Sequence, residues 1–430
     1  MSIFEFTKSH VDIMDVVSHY VHLKQMGNYW KGPCPFHKEN DASFTISPDK
    51  QIFYCFGCHE GGDAISFISK VESVSPTEAV SMLIDRYEIE IPREISNNSS
   101  SDFVNIKKKL SHFEICKTFA QFAFKCLNAN ERALDYLKNR GISQKSIERF
   151  YLGLMPSGSH GIKTLIEEVR KKGFLSKDLE NAGIISSSKG RYYSPFEDRL
   201  LFPIRDTAGR FIAFGGRIYK PRDTRPKYYN SKESEYFIKR QLLFGFDIAR
   251  TSLKSSGKGF LVEGYLDCIA MHQNGYSGAI ATLGTSCTNE HLKALGKVIN
   301  TLYVVYDGDG AGHDAIIRLA EKCWLADVEL YVVKLPEGQD PASLLESGKD
   351  LDSSIESSEN IFTFFVKSAS KNFFKTTLSE KMKVSKKIVQ LISKIRDPIR
   401  RDLLLQQASQ ETQIPFVSLK KLCKVEKNDF

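Results

Sequence analysis

A chain of 430 residues, 41% hydrophobic and 26% charged, is long enough for two to four domains and too apolar for disorder throughout. The net charge of +8 is compatible with a nucleic-acid partner without requiring one. No secretory leader or membrane span is expected: Glu5, Asp12 and Asp15 interrupt the first twenty residues, and the long uncharged stretch Cys268–Asn289 is rich in Gly, Ser, Asn and Thr. Nine cysteines, odd in number and mostly single, argue against a disulfide framework and for a reducing cytoplasm.

The first unit, residues 1–95, opens with a helical pattern through Val11, Ile13, Val16, Val17 and Tyr20. Cys34, His37, Cys55 and Cys58 then follow as C-x2-H-x17-C-x2-C, two tight ligand pairs that suit one tetrahedral, structural zinc. Gly57 permits a tight turn in the second pair, and His59 is set aside because it breaks the pairing. Trp30, Phe36, Phe44, Ile46, Phe53, Tyr54 and Phe56 surround the ligands, with Lys24, Lys31, Lys38 and Lys50 among them. This composition reads equally as a core with a solvated basic face or as a platform that stacks bases while lysines meet phosphates. Asp63 predicts an N-cap, followed by the apolar face Ile65, Phe67, Ile68 and Val71. The polar run from Ser96 to Ser101 predicts a linker over residues 96–102.

Residues 103–256 mix helices and strands, with strands at Leu200–Ile204 and Phe211–Arg217 joined by a turn at Ala208-Gly209. Arg217 to Arg240 carries eight Lys/Arg against three Asp/Glu, a local +5 that suits phosphate binding. Over residues 257–345 strands and helices alternate: strands at 260–262, 279–281, 302–305 and 328–333, helices at 266–273, 290–298 and 315–324. That rhythm predicts a parallel sheet covered by helices. Residues 353–430 read as helical, with Val384, Ile388, Leu391, Ile392 and Ile395 on one face and Pro398 as the expected stop.

Glu263 falls just past the first strand of the alternating unit and Asp307 and Asp309 just past the third, where open α/β sheets place their sites. Three carboxylates at close range repel unless a cation joins them, and magnesium, a hard ion that takes oxygen ligands, is the expected one. Asp267 and Asp340 are further candidate ligands, and Gly308, Gly310 and Gly312 are expected to let backbone approach a phosphate.

With these motifs in hand, the chain resembles the bacterial DnaG-type primases. Cys34-Pro35-Phe36-His37, Ser43-Phe44, Tyr54–Cys58 and Gly61-Gly62-Asp63 resemble their zinc-binding domain, and residues 257–345 resemble a TOPRIM subdomain. Phe202–Asp206, Phe214–Arg217 and Pro226–Ser231 are similar to their polymerase core, which other TOPRIM proteins lack. The resemblance implies an α+β multidomain protein: zinc ribbon, mixed α/β core with a TOPRIM parallel sheet, and C-terminal helical bundle. It implies a cytoplasmic nucleotidyltransferase that makes short RNA primers on single-stranded DNA from ribonucleoside triphosphates, using one zinc and one or two magnesium ions, with manganese as a substitute. It also implies that Glu263, Asp307 and Asp309 hold magnesium and that Arg140, Arg217, Lys227, Asn230 and Lys239 contact template or nucleotide.

Two departures shape the expectations. Where the family often has a second acid after Asp-Pro, this chain has Ala342, which leaves Asp340 alone at that position. The resemblance implies the replicative helicase as a partner, yet the chain stops at Phe430, so the usual docking domain is expected to be absent or the sequence to be a fragment. A monomer without membrane contact is the default. The rival readings are another TOPRIM enzyme, a topoisomerase or nuclease, and a non-catalytic zinc-dependent binder of single-stranded DNA.

Overall fold

Alternation of side chains sets the first sheet. Strands β1 (Lys24–Met26), β2 (Tyr29–Gly32), β3 (Phe44–Ser47), β4 (Ile52–Cys55) and β5 (Gly61–Gly62) form an antiparallel meander in chain order. The register puts Trp30, Ile46 and Phe53 on one rung and Lys31, Thr45 and Tyr54 on the next. Because successive residues point to opposite faces, Ile46, Phe53 and Phe44 are buried while Tyr29, Ile52 and Tyr54 share the solvent face. Phe44, Phe53 and Phe67 form a buried aromatic cluster with Phe36, ring centroids 5.4–6.0 Å apart. The helix expected from Val11 begins later and has a neighbour before it. Ile3–His10 ends at extended Val11, and the Asp12 carboxylate then caps Ile13–Ser18 by accepting from the Met14 N–H at 2.6 Å. Asp63 caps Ala64–Glu72 as expected, accepting from the Ser66 N–H at 2.8 Å.

The computed structural model describes residues 2–37, 39, 41–72, 74–92, 101–320, 328–370, 373–395 and 397–425. They fall into two units, Met1–Thr118 and Phe119–Phe430, the division lying inside the helix Ser101–Asn128. Residues 96–100 of the expected linker lie outside the described residues, and Ser101 and Asp102 begin that helix.

In the second unit, β6 (Gly153–Met155) precedes a two-stranded ribbon of β7 (Ser186–Ser188) and β8 (Arg191–Tyr193). Strands β9 (Arg199–Arg205), β10 (Phe211–Ile218) and β11 (Tyr228–Asn230) join β6 in a sheet ordered β11-β10-β9-β6. The β9–β10 turn closes on Asp206, whose carboxylate accepts from the N–H groups of Ala208 and Arg210, with Gly209 at φ +83°.

The alternating unit forms a second sheet of β12 (Lys258–Val262), β13 (Ala279–Ala281), β14 (Thr301–Val304), β15 (Glu329–Val332) and β16 (Glu359–Asn360), ordered β13-β12-β14-β15-β16. The first four are parallel and β16 is antiparallel. The chain moves to opposite sides of β12 to form β13 and β14, so β12 and β14 flank the point where strand order reverses. The helix expected at 315–324 starts at Gly310, directly after the acidic loop, and residues 321–327 lie outside the described residues.

Helices Ile361–Ser370, Leu378–Ser393, Pro398–Thr412 and Phe416–Val425 follow, and Phe362, Phe365, Ile388, Ile392, Leu405 and Leu419 share one core with Leu261 and Val304 of the parallel sheet and Ile316 of the helix Gly310–Ala320. Pro398 does not stop Leu378–Ser393, which ends before it at the C-cap Lys394. It occupies the opening position of the next, after the N-cap Asp397, where its missing N–H leaves no bond unmade. Among the described residues no helix is long and apolar enough to cross a membrane.

Candidate metal centres and nucleic-acid interface

The ligand atoms of Cys34, His37, Cys55 and Cys58 all lie within 4.8 Å of one another. The Cys34 and Cys58 sulfurs are 3.8 Å apart, and Cys55 Sγ is 3.9 Å from His37 Nδ1. A tetrahedron with Zn–S bonds of about 2.3 Å has an edge of roughly 3.8 Å, so the donor set fits zinc. Backbone amides support the thiolates: Cys55 Sγ accepts from the N–H groups of Gly57 and Cys58, and Cys34 Sγ from that of Phe36, each at 3.4 Å. Burial pushes the Cys34 thiol up to about 12. At Cys55 burial is outweighed by Ser43 and the two amides, and the thiol falls to about 7.

Glu39, not singled out from the sequence, holds His37 from behind: its Oε2 lies 3.2 Å from His37 Nε2, which leaves Nδ1 for the tetrad. The signal was its place two residues after a metal-binding histidine. Gly57 is required by close approach rather than by a left-handed turn, since a Cβ there would lie 2.7 Å from the His37 ring. The left-handed residue is His59, whose Nδ1 meets the Tyr54 hydroxyl at 3.1 Å outside the tetrad.

The aromatics divide. Phe44 and Phe53 are core, whereas Tyr54 and Phe56 are 39% and 67% exposed and pack edge to face. Lys24 pairs across strands with Lys31, on the same face as Tyr54. Lys38 lies outside the described residues.

At the second sheet, parallel pairing of Leu261 with Val304 brings the ends of β12 and β14 side by side, so Glu263 and Asp307 emerge next to each other. Burial and the charges of Asp307 and Asp309 raise the Glu263 carboxyl above its usual value, against a backbone N–H of Asp307. Burial, Asp340 and Asp309 raise Asp307 in the same way, with Lys227 opposing. Asp267 is pushed up to about 7 by burial, then by Asp340 and Asp307. Glu263 Oε1 is buried with no hydrogen-bond partner in the protein. Carboxyls raised by burial and by neighbouring acids, around an unpartnered buried oxygen, fit a hard cation. Among the described residues, the Cys/His tetrad is the group whose donors already converge on one point; the acids share an edge without doing so.

Asp309 accepts from the Gly312 N–H at 2.8 Å and so opens the helix Gly310–Ala320. Asp340 caps Pro341–Glu346 by accepting from the Ser343 N–H at 2.6 Å. Ala342 contributes its backbone N–H, 3.3 Å from Asp267 Oδ1. The glycines play a different part from the one expected. A Cβ on Gly308 would lie 2.3 Å from the Pro336 carbonyl and one on Gly312 2.2 Å from that of Asp307, so both let the loop pack on its own backbone. Gly310 has open space.

The basic residues form an aromatic-braced shelf rather than a basic surface. Arg217 is 4% exposed; its Nε donates to the Tyr136 hydroxyl at 2.9 Å and its NH1 to that of Tyr228. Arg140 lies 5.8 Å from the same Tyr136 ring, and Lys227 5.9 Å from the Tyr228 ring. Tyr136 and Tyr228 thus gather three residues far apart in sequence. Tyr228 was signalled by its place between Lys227 and Asn230, while nothing near Tyr136 marked it. Asn230 is occupied structurally: it donates to the Leu283 carbonyl and accepts from the Tyr265 hydroxyl, at 2.9 and 2.7 Å. Lys239 is pinned through its backbone, its carbonyl 3.0 Å from His291 Nε2. Within the stretch Arg225 meets Asp223, a pair the local +5 already counts, and Asp198 from outside it meets Lys220, so most of the excess remains.

Four family models match in order: the CHC2 zinc finger over residues 1–99, the N-terminal domain of the DNA primase catalytic core over 122–250, a Toprim-like domain over 260–345, and the DnaB-helicase binding domain of primase over 362–416. The chain is 36% identical to a DNA primase of Aquifex aeolicus over 420 residues, 97% of this chain and 79% of that one. It is 33% identical to a DNA primase of Clostridium acetobutylicum over 406 residues, 94% and 66% of the two chains. The crystal structure of the Aquifex aeolicus primase, zinc binding and RNA polymerase domains, is similar at TM-score 0.66 and 33% identity, covering 97% of this chain and 99% of that one. A DnaG primase catalytic domain bound to ssDNA is similar at TM-score 0.63 and 29% identity, covering 72% and 98%.

The helicase-binding match overturns the expectation that the docking domain is absent: residues 362–416 constitute it. In the structure they form most of the helices Ile361–Ser370, Leu378–Ser393 and Pro398–Thr412. A docking module built of amphipathic helices carries apolar periodicity and no polar motif, so in sequence it reads like the helices that close a polymerase core.

Proposed function

Because the chain belongs to the bacterial DnaG-type DNA primase family, we propose that it joins ribonucleotides into short primers at the acidic edge formed by Glu263, Asp307 and Asp309. The reaction class is nucleotidyl transfer: a 3′-hydroxyl attacks an α-phosphate and pyrophosphate leaves. The observation that carries the assignment is the buried, unpartnered Glu263 Oε1 beside two carboxylates that raise its affinity for a proton, and by the same token for a cation.

Glu263, Asp307 and Asp309 would hold magnesium, with Asp267 and Asp340 behind them. When bound, the ion lowers the pKa of the attacking hydroxyl and offsets charge on the phosphates. The protein's own part is positioning and electrostatics. Lys227, the member of the shelf whose charge acts on Asp307, meets nucleotide phosphates. Arg217, fixed by two tyrosine hydroxyls, presents a cation whose position does not drift, and Arg140 extends the shelf. Asn230 positions rather than contacts substrate: through Tyr265 and Leu283 it ties β11 to the parallel sheet, which sets Lys227 relative to the acids.

The zinc unit reads template. Its solvent face, with Tyr29, Tyr54, Phe56, Lys24 and Lys31, offers stacking rings beside cations, as single-stranded DNA requires. Residues 362–416 engage the replicative helicase, which would place the chain at the replication fork in the cytoplasm.

The test is primer synthesis from unprimed single-stranded DNA, four ribonucleotides and magnesium. The parent is expected to make short RNA and Asp309→Ala none. Full activity in Asp309→Ala would remove the acids from the reaction.

A further inference from the structure

The helix Leu378–Ser393 carries a feature that neither the acidic edge nor the shelf uses. Between Leu378 and Ile395 there are five lysines and one acid. Ser385, Ile388, Val389, Leu391 and Ile392 are buried against the core, so the opposite side is fixed as solvent-facing. At 100° per residue, Lys383, Lys386, Lys387 and Lys394 fall within one arc of that side, spread along roughly 16 Å of helix. All four are exposed.

Nearby acids are already committed. Glu380 accepts from Thr377 at the helix start, Asp397 caps the next helix, and Asp402 pairs with Lys420. Among the described residues no carboxylate reaches Lys383, Lys386 or Lys394. A row of like charges on one helix face costs stability in isolation. It suits a partner that brings a row of negative charges.

We infer that this lysine face is a second contact for the sugar–phosphate backbone of single-stranded DNA, separate from the acidic edge and its shelf. It would hold template that runs beyond the site of synthesis. The helix lies within the helicase-binding match, so a protein partner is the competing occupant. Two features favour DNA. Lysine is depleted from protein interfaces, whose centres are anchored by aromatic, methionine and arginine side chains. This arc offers none of these: exposed Leu378 and Met382 lie on its flank by helical spacing, toward the buried side. A face of lysines without rings meets phosphates without reading bases. The inference extends the proposed function but is tested without nucleotides, so the two fail separately.

The experiment measures binding of the full chain to a fluorescent 30-nucleotide oligothymidine across a range of salt concentrations. The parent is compared with Lys383→Gln/Lys386→Gln/Lys394→Gln and with the corresponding triple arginine variant. Three lost phosphate contacts should make the slope of log K against log salt shallower by about 2, at roughly 0.7 per contact. The arginine variant should keep the parent slope. Unchanged thermal unfolding of the glutamine variant would show that the fold is retained, as expected for exposed positions. A parent-like slope in the glutamine variant overturns the proposal. So does a parent-like slope combined with loss of co-elution with the replicative helicase, which would assign the face to protein.

Discussion

The two metal centres differ in how much the protein completes by itself. In the zinc ribbon four donors converge within 4.8 Å, amides support the thiolates and Glu39 orients the histidine. At the parallel sheet burial and neighbouring carboxylates raise the proton affinity of Glu263, Asp267 and Asp307, and Glu263 keeps a buried oxygen without a partner. A closed donor set suits a structural ion and an open, charge-strained edge suits a reacting one. The first site should therefore matter most to folding and the second most to rate.

The largest expected effect lies on the folding side. Chelation of zinc, or Cys55→Ser, should remove on the order of 10 kcal/mol of metal-linked folding energy from the first unit. Its sheet signal should disappear in circular dichroism while the second unit still unfolds in a separate transition. A single transition for both units would break the contrast. On the other side, Glu263→Gln should lower synthesis at least about 100-fold, yet leave the melting temperature equal or higher, because a strained carboxylate is removed. A large loss of stability in that variant would make the edge structural.

A smaller effect sharpens the account of how the acids meet the basic shelf. Gly215 pairs with Asn230, and a Cβ there would lie 2.5 Å from the Tyr265 hydroxyl. Gly215→Ala should cost about 1–3 kcal/mol by overpacking and raise KM for nucleotides more than it lowers kcat. Urea unfolding with steady-state kinetics checks both.

The last effect, absent at neutral pH, is a pH dependence behind the acids. His272 lies on the helix after Glu263; its Nε2–H donates to the Ala279 carbonyl at 2.9 Å while Nδ1 is buried without a partner. Burial lowers it to about 4. Below the ordinary histidine pKa of about 6.5 the unfolded chain gains a proton that the folded one refuses, so stability falls as pH drops from about 6.5 toward about 4. The slope is at most about 1.4 kcal/mol per pH unit. His272→Gln should flatten that part of the profile in thermal melts, and an unchanged profile would remove His272 as its cause.

What was legible in the sequence follows the same division. Ligand spacing disclosed the tetrad, and strand–helix alternation placed Glu263 and Asp307 at the ends of strands, because both signals are local; that the two strands are neighbours came from the fold. Long-range pairing was not legible. The sequence counted Arg217, Lys220 and Arg225 as one basic run, but Tyr136 and Asp198, which hold Arg217 and Lys220, come from elsewhere in the chain. Cys55 and Asp309 were both visible as candidate ligands, whereas the Tyr136 brace, the Gly215–Tyr265 passage and the helicase-binding helices required the fold. Those helices were misread because apolar periodicity reports burial and not partner.

The most direct test of the division of labour is one gel comparing two reactions, initiation on unprimed template and extension of a pre-annealed RNA primer. Asp309→Ala should lose both. Cys55→Ser should lose initiation and keep extension. Extension by Asp309→Ala, or its loss in Cys55→Ser with the second unit still folded, would contradict the assignment of chemistry to the acidic edge and template reading to the zinc unit.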